Sequence, residues 1–240
     1  MLPQELIDEI LEYLKDDKAT LKACSLAHRM FLPRTRKFLF RTFFVKRLGP
    51  DPYTLRSCPE VSKNFREVLI RGNLCSEVKQ CSSFVDYRLI DTLRLEGSDM
   101  EWKDIHWVLR KPDIPSLPAL ENLYLSRVYF SSFRQMAATL GSFPKLNNLS
   151  LDFEDHVRTF VRPGELDSYS LHLHVRSLHM RLNLITEPGP IPNTLLASSG
   201  SHLQHLSLHI VATAPTKPGC KTHSLPCYTM FFANQNPQLK

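Results

Sequence analysis

The sequence predicts an α+β protein in which a small helical cluster over residues 1–40 precedes an irregular strand–helix solenoid with a parallel sheet over residues 41–240. Two observations carry this prediction. Apolar residues recur at helical spacing in the opening segment, and a pattern of apolar, two residues, apolar, one residue, apolar returns at intervals of 25 to 30 residues through the rest of the chain. With 240 residues, of which 42% are hydrophobic and 22% charged, the chain has the composition of a globular protein.

Three short helices are predicted in the first forty residues. Pro3 suits the first turn of a helix, where its missing N–H costs nothing, and the apolar stripe that follows predicts a helix over about residues 3–14. Asp16 or Asp17 can cap a second helix, and Pro33 suits the first turn of a third. A cluster this small buries little apolar surface by itself. We therefore expect part of its stripe to pack against the rest of the chain or against another protein.

The charge of the chain changes after the first helix. That helix is rich in Asp and Glu, whereas residues 18–50 contain several lysines and arginines and no acidic residue. The whole chain has a formal charge of +6. A basic surface of this kind suits a solvated helical face, an acidic protein partner or the phosphates of a nucleic acid, and the pattern favours the first two.

The repeated pattern gives one short strand in each copy. The last two apolar positions of a copy alternate with a variable residue, so their side chains point to one face of a sheet and the variable residue points to the other. Segments between the copies, such as "SSFRQMAATLGSF" and "WKDIHWVLRK", have helical periodicity. The copies begin at Phe40, Phe65, Ile90, Leu120, Leu146, Val175 and Leu203.

Two parts of the chain resemble known families. The segments "LPQELIDEILEYL" and "TLKACSLAHRMFLPRTRKFLF", joined by an acidic turn, resemble an F-box and are especially similar to the F-box-like proteins abundant in mushroom-forming fungi. The strand–helix units resemble the leucine-rich repeat, although they lack its regular Asn or Cys after the strand. The resemblance implies an F-box-like domain over residues 1–40 and a degenerate leucine-rich-repeat-like solenoid over residues 41–240.

The end of the sequence predicts an incomplete repeat. "NPQLK" resembles the approach to the strands that begin at Leu120 and Leu146, which makes Leu239 the opening of an eighth strand that does not follow. A stack of strands without a cap has an open edge. We therefore expect a poorly ordered tail from about Ala212 and an exposed final edge that is prone to pairing.

The F-box resemblance implies a role in protein degradation. The helices are expected to dock on the Skp adaptor of a cullin–RING ubiquitin ligase, an SCF-type complex, while the repeats hold a protein substrate whose identity the sequence leaves open. The chain then acts by proximity and needs no cofactor. The expected adaptor-binding residues are Leu2, Pro3, Leu6, Ile7, Ile10, Leu14, Leu26 and Leu32.

The variable strand positions are expected to form an open sheet face. Its central column is predicted to contain Arg94, Tyr124, Ser150, His179 and Ser207, and its neighbouring column Glu96, Ser126, Asp152, Arg181 and His209. These side chains are chemically mixed and suit either a bound protein segment or a solvated surface. The substrate-binding residues expected among them are Arg94, Glu96, Tyr124, Asp152, His179, Arg181 and His209.

The sequence gives little sign of catalytic or metal chemistry. It contains no phosphate-binding glycine loop, nucleophile elbow or H-E-x-x-H string, so the chain is predicted not to be an enzyme. The C-x2-H-x3-C string has no fourth ligand at suitable spacing, and the histidines of the last third have no acids or cysteines in register, so no metal site is expected. The six cysteines are predicted to be free thiols. The C-x2-H-x3-C string consists of Cys220, His223 and Cys227, and the histidines of the last third are His172, His174, His179, His202, His205 and His209.

The remaining prediction concerns location and an alternative function. No apolar run approaches the roughly 18 residues of a membrane span, and the acidic first helix has the wrong charge for a signal peptide, so a cytoplasmic or nuclear protein is expected. The alternative is a basic scaffold associated with nucleic acid, in which the helices serve to cap the solenoid. Salt dependence separates the two functions, because binding through phosphate contacts weakens steeply as salt rises.

Overall fold

The computed structural model describes residues 3–45, 59–72, 85–101, 117–130, 133–153, 174–183, 202–211 and 228–233. These residues form an α+β fold, with helices at the amino end followed by a single sheet. The helices are α1 (Gln4–Tyr13), α2 (Lys18–Ala27), α3 (Leu32–Leu39), α4 (Pro59–Ser62) and α5 (Phe133–Gly141), with a 3₁₀ turn at Tyr87–Leu89. The strands are β1 (Thr42–Val45), β2 (Glu67–Arg71), β3 (Thr92–Glu101), β4 (Asn122–Tyr129), β5 (Asn148–Phe153), β6 (Ser177–Asn183), β7 (His205–Val211) and β8 (Tyr228–Ala233).

The first three helices begin where the sequence predicts. Pro3 directly precedes α1, and Pro33 lies in the first turn of α3. Asp17 is the N-cap of α2, where its side chain accepts hydrogen bonds from the backbone N–H groups of Ala19 and Thr20, each at 3.1 Å. The hydroxyl of Thr20 donates a third bond of 2.6 Å to the same carboxylate. The cap therefore satisfies amide groups that have no partner within the helix.

Asp17 gives the helical cluster a predicted dependence on pH. The hydrogen bond from the Thr20 hydroxyl, followed by the one from the Thr20 amide, lowers the pKa of the Asp17 carboxyl below its ordinary value. A lowered folded-state pKa means that the carboxylate stabilises the fold above its unfolded pKa, and that this contribution is lost as pH falls through the folded value. The wild-type protein should therefore lose stability below about pH 4.

The matched variant for this test is Asp17→Ser, because serine caps a helix without titrating in this range. The denaturant midpoint of each protein is read from the helical circular dichroism signal at about pH 6 and at about pH 3. Between these two pH values the midpoint should fall further for the wild type than for the variant. Equal losses in the two proteins would show that other carboxylates dominate the acid response.

The helical cluster has a small core of its own. Ile7, Leu11 and Leu21 are buried in it, and the residues packed against them are Leu14, Cys24, Met30, Phe31, Phe38 and Leu39. Nη2 of Arg34 donates to Oε2 of Glu12 at 2.7 Å and ties α3 to α1. This core and the core under the sheet are separate clusters of buried residues.

The sheet contains seven parallel strands in sequence order, as predicted, with each strand paired to the next. One junction recurs between neighbouring units. The carbonyl of Asp91, just before β3, accepts from the N–H groups of Glu121 at 2.8 Å and Asn122 at 2.9 Å, just before and at the start of β4. The residues that accept a pair of bonds in the same way are Arg41, Arg66, Glu121, Asn147 and Arg176. The chain therefore enters each strand with the same geometry.

The repeated apolar positions form the core under the sheet. Leu93, Leu95, Leu123, Leu149 and Leu178 are all between 0% and 1% exposed. Helix α5 contributes two buried side chains, Met136 and Leu140, to the same cluster. The segment "WKDIHWVLRK", predicted to be a second helix of this kind, lies outside the described residues.

The prediction of an open edge after β7, the last strand of the repeated pattern, is wrong. β8 pairs with β7 in antiparallel orientation, with Phe232 opposite Leu206 and Met230 opposite Leu208. An antiparallel partner can satisfy the free edge of a parallel sheet through its own N–H and C=O groups, so no further repeat is needed to cover β7. The rest of the predicted tail, including Leu239, lies outside the described residues. No helix in the described part of the chain combines the length and apolar character needed to cross a membrane.

Candidate functional site

Helix α1 exposes a line of large apolar side chains. Leu6 is 46% exposed, Ile10 51% and Tyr13 84%. Spacings of four and three residues place the three side chains along one face of the helix, which we name the α1 stripe. Exposed apolar surface that is contiguous, unlike a scattered single residue, is typical of a protein-binding surface.

A groove of about 560 Å³ lies against α2 and α3, and we name it the α2–α3 groove. Its apolar lining includes Leu26, which is 87% exposed, and Phe40, which is 37% exposed. The other lining residues are Lys18, Lys22, Ser25, Leu32, Arg36 and Leu39. The groove therefore combines leucine side chains with basic side chains, and none of the described residues that line it is acidic.

The predicted adaptor-binding residues fall in several environments. Leu6 and Ile10 lie on the α1 stripe, and Leu26 and Leu32 line the α2–α3 groove. The prediction missed Tyr13, Leu39 and Phe40, which are exposed or line the groove. Tyr13 lies within the predicted first helix, three residues after Ile10, so a helical wheel places it on the same face.

The placement of Ile7 corrects the prediction. Ile7 is only 4% exposed and packs in the cluster core, so its side chain is not available on the surface. Residues four apart share a helix face, and Ile7 with Leu11 turns toward the other helices while Leu6 with Ile10 turns outward. Of the remaining predicted residues, Pro3 is exposed, Leu14 is half-buried against the core, and Leu2 lies outside the described residues.

The other candidate surface is the side of the sheet opposite the buried leucines, which we name the open face. The predicted columns are confirmed by the strand register: Arg94 pairs with Tyr124, Tyr124 with Ser150, Ser150 with His179, and His179 with Ser207. The adjacent column contains Glu96, Ser126, Asp152, Arg181 and His209, also as predicted. A third column precedes them and contains Thr42, Glu67, Thr92, Asn122, Asn148, Ser177 and His205.

Arg94 is held in place by groups on both neighbouring strands. Its Nε lies 2.6 Å from Oε1 of Glu67, and its guanidinium lies 4.2 Å from the centroid of the Tyr124 ring. The other carboxylate oxygen of Glu67 accepts a hydrogen bond of 2.8 Å from the hydroxyl of Thr42. The ion pair and the cation–π contact together hold the Arg94 guanidinium beside the Tyr124 ring.

Two further ion pairs cross the strands. Nε of Arg71 donates to Oε2 of Glu96 at 2.6 Å, and Nη1 of Arg181 lies 3.9 Å from Oδ2 of Asp152. The hydroxyl of Ser126 donates to the same Asp152 oxygen at 3.2 Å. Opposite charges on neighbouring strands stabilise the register and offset most of the charge of the face.

An amide ladder runs along the third column. Nδ2 of Asn148 donates to Oδ1 of Asn122 at 2.6 Å, and Nδ2 of Asn122 donates to Oγ1 of Thr92 at 3.2 Å. Oγ1 of Thr92 in turn donates to Oδ1 of Asp91 at 2.7 Å. Because the amide groups bond to one another, this column fixes the start of three strands relative to each other.

The Glu67–Arg94 pair predicts a small effect on stability. Glu67→Gln keeps an oxygen for the Thr42 hydroxyl and removes the charge. The Arg94 side chain is 41% exposed and that of Glu67 18%, so solvent screens the pair and the variant should lose less than about 1 kcal/mol in denaturant unfolding. A loss above about 3 kcal/mol would instead indicate a desolvated pair.

The open face contains a groove of about 700 Å³, which we name the open-face groove. All seven predicted substrate-binding residues line it, which are Arg94, Glu96, Tyr124, Asp152, His179, Arg181 and His209. Arg127 and Gly97 also line it, and sequence reasoning missed both. Strict strand alternation assigns Arg127 to the leucine side, so no local signal pointed to it.

Histidines and cysteines form no metal centre in the part of the chain that the structure describes, since no three His, Cys, Asp or Glu side chains there are placed to share an ion. The rings of His174 and His202 meet edge to face, with centroids 4.8 Å apart. Cys24 has a free thiol, and the other five cysteines, His172 and His223 lie outside the described residues.

The two surfaces offer binding chemistry of different kinds. The helical surface presents apolar side chains beside lysine and arginine, and the open-face groove presents charged, aromatic and hydrogen-bonding groups on a rigid sheet. No family model matches the chain, and no curated protein matches it significantly.

Proposed function

We propose that the chain is a substrate-recognition subunit of an SCF-type cullin–RING ubiquitin ligase, acting in the cytoplasm or nucleus. In this proposal residues 1–40 are an F-box that docks on the Skp adaptor. The observation that supports it best is the exposed apolar surface of a cluster that already has a core of its own. Leu6, Ile10 and Leu26 remain exposed although Ile7, Leu11 and Leu21 are buried, which is expected of a cluster completed by a partner.

The repeat region supports the second half of the proposal. Units of 25 to 30 residues each add one strand, with leucines on the buried side and polar side chains on the open face. This organisation agrees with a degenerate leucine-rich-repeat-like solenoid, in which the open face holds a protein substrate. The chain supplies two binding surfaces, and joining them raises the concentration of the substrate at the ligase.

Affinity purification tests the proposal. The tagged full chain, expressed in eukaryotic cells and purified under a wash of raised salt, should bring down the Skp adaptor and a cullin, identified by mass spectrometry. Apolar contacts survive such a wash because salt screens charges and leaves apolar burial intact. Recovery of neither protein, from a preparation that is folded by circular dichroism, would contradict the proposal.

A basic scaffold associated with nucleic acid is the second candidate. It is favoured by the α2–α3 groove, whose charged lining residues are Lys18, Lys22 and Arg36. Nζ of Lys18 also lies 5.8 Å from the centroid of the Phe44 ring on β1, so α2 contacts the first strand as a cap would. In this case the helices cover the end of the sheet and the basic side chains contact phosphates.

A further inference from the structure

Acidic side chains lie beside the α1 stripe. Around a helix of 3.6 residues per turn, Glu9 lies about 70° and Glu5 about 110° from the centre of the stripe, on the side away from the buried Ile7. Both carboxylates are exposed. Within the part of the chain that the structure describes, neither forms an ion pair with a basic side chain. The stripe is therefore an apolar surface with an acidic border.

The α2–α3 groove combines apolar walls with basic side chains. On α3, Leu32, Arg36 and Leu39 follow one another at spacings of four and three residues and line the groove together. On α2, Lys22 lies one turn before Leu26 along the same wall. Lys22 and Arg36 are exposed, and no Asp or Glu among the described residues forms an ion pair with either of them. The groove thus matches the α1 stripe in both apolar character and charge.

Helix α1 also has the residue spacing of a groove-binding helix. Leu6, Ile10 and Tyr13 occupy positions i, i+4 and i+7, the spacing with which an amphipathic helix anchors itself in an apolar groove. None of the three lines the α2–α3 groove of its own copy, and all three side chains remain exposed. The surface that α1 offers is therefore available to the groove of another molecule.

We propose that the α2–α3 groove binds the α1 stripe of a second copy of this chain, with Glu5 and Glu9 of one copy facing Lys22 and Arg36 of the other. The apolar side chains supply the attraction, and the opposite charges determine which surface meets which. This self-association goes beyond the proposed function and does not require it. Because it covers part of the surface proposed for the adaptor, the adaptor and a second copy exclude each other.

A charge swap tests the pairing. Sedimentation velocity of the purified full chain, at concentrations up to about 100 µM, should show association that increases with concentration. The acid variant is Glu5→Lys with Glu9→Lys, and the base variant is Lys22→Glu with Arg36→Glu. Each variant alone brings like charges together and should associate at least about tenfold more weakly than the wild type. An equimolar mixture of the two should associate as the wild type does, because unlike charges meet again wherever one variant contacts the other.

Two further variants separate the contact from general effects of charge and folding. Arg29→Glu with Lys37→Glu is the matched control for the base variant, since it changes the net charge equally at exposed positions that do not line the groove. It should associate as the wild type does. Leu26→Asp tests the apolar contact: the side chain is 87% exposed, so the fold should be kept while association is lost. Circular dichroism verifies the fold of every variant.

Three outcomes would overturn the inference: a wild-type chain that stays monomeric up to about 100 µM, a folded acid or base variant that associates as the wild type does, or an equimolar mixture of the variants that stays monomeric. Binding of the purified Skp adaptor is measured on the same preparations. Self-association that is lost in both variants and restored in their mixture, without adaptor binding, would support this inference and contradict the ligase function. Adaptor binding by a chain that is monomeric alone would do the reverse.

Discussion

Leu123→Ala is expected to lower the free energy of unfolding by about 2–5 kcal/mol. Leu123 is 0% exposed and lies in the central strands of the sheet, paired with Leu93 on one side and Leu149 on the other. The variant loses the burial of the leucine methyl groups and leaves a cavity between neighbouring units that pack as a rigid stack. Denaturant unfolding monitored by circular dichroism measures the loss.

Ser150→Ala is the control for this prediction. Ser150 lies on the open face, one strand away from Leu123, and its side chain is half-buried. Its replacement should change the free energy of unfolding by less than about 0.5 kcal/mol, as expected for substitutions away from the core. Similar losses in the two variants would show that the assignment of the two sheet faces is wrong.

The double variant Leu6→Asp and Ile10→Asp is expected to weaken binding to the Skp adaptor by more than about a hundredfold. Each aspartate would bury a charge in an apolar interface at a cost of several kcal/mol, against about 8 kcal/mol for a typical micromolar complex. The two side chains are about half exposed, so the fold should be retained. Isothermal titration calorimetry with the purified adaptor measures the effect.

Lys15→Glu is the matched control for the double variant. It changes the net charge by the same two units, at an exposed position after α1. Its ion pair with Glu12 spans 3.6 Å in solvent and contributes little. Normal adaptor binding by the folded double variant would show that the α1 stripe is not part of the interface. Ile7 is unsuitable for this test, because it is buried in the cluster core and a charge there would unfold the helices.

The strands and their register could be predicted because both depend on a local, period-two pattern. In "LENLYL" and "LNNLSL" the leucines at alternate positions fix which face is buried. Aligning the copies on this shared pattern then fixes which variable residues meet across strands. The columns through Tyr124 and Asp152 follow from these two facts alone. The caps at Asp17 and Pro33 are equally local, since each acts within one turn.

Three features depended on contacts that no local pattern contains. Ile7 and Ile10 are equally apolar in the sequence, and only the packing of α1 against the other helices separates the buried one from the exposed one. Arg127 lines the groove at a point where three residues of β3, a different strand, lie opposite this one residue of β4. The partner of β7 comes from a strand that runs in the opposite direction and lacks the repeated leucine pattern.

The proposal that the helical cluster docks on the Skp adaptor is tested by the affinity of the purified full chain for the purified adaptor at two salt concentrations. We expect a dissociation constant in the micromolar range or tighter, which changes by less than about threefold between about 50 and 200 mM salt because the contacts are mainly apolar. Duplex DNA is titrated in parallel. Absence of adaptor binding at either concentration, with an affinity for DNA that falls about a thousandfold over the same range, would contradict the claim and favour the basic scaffold.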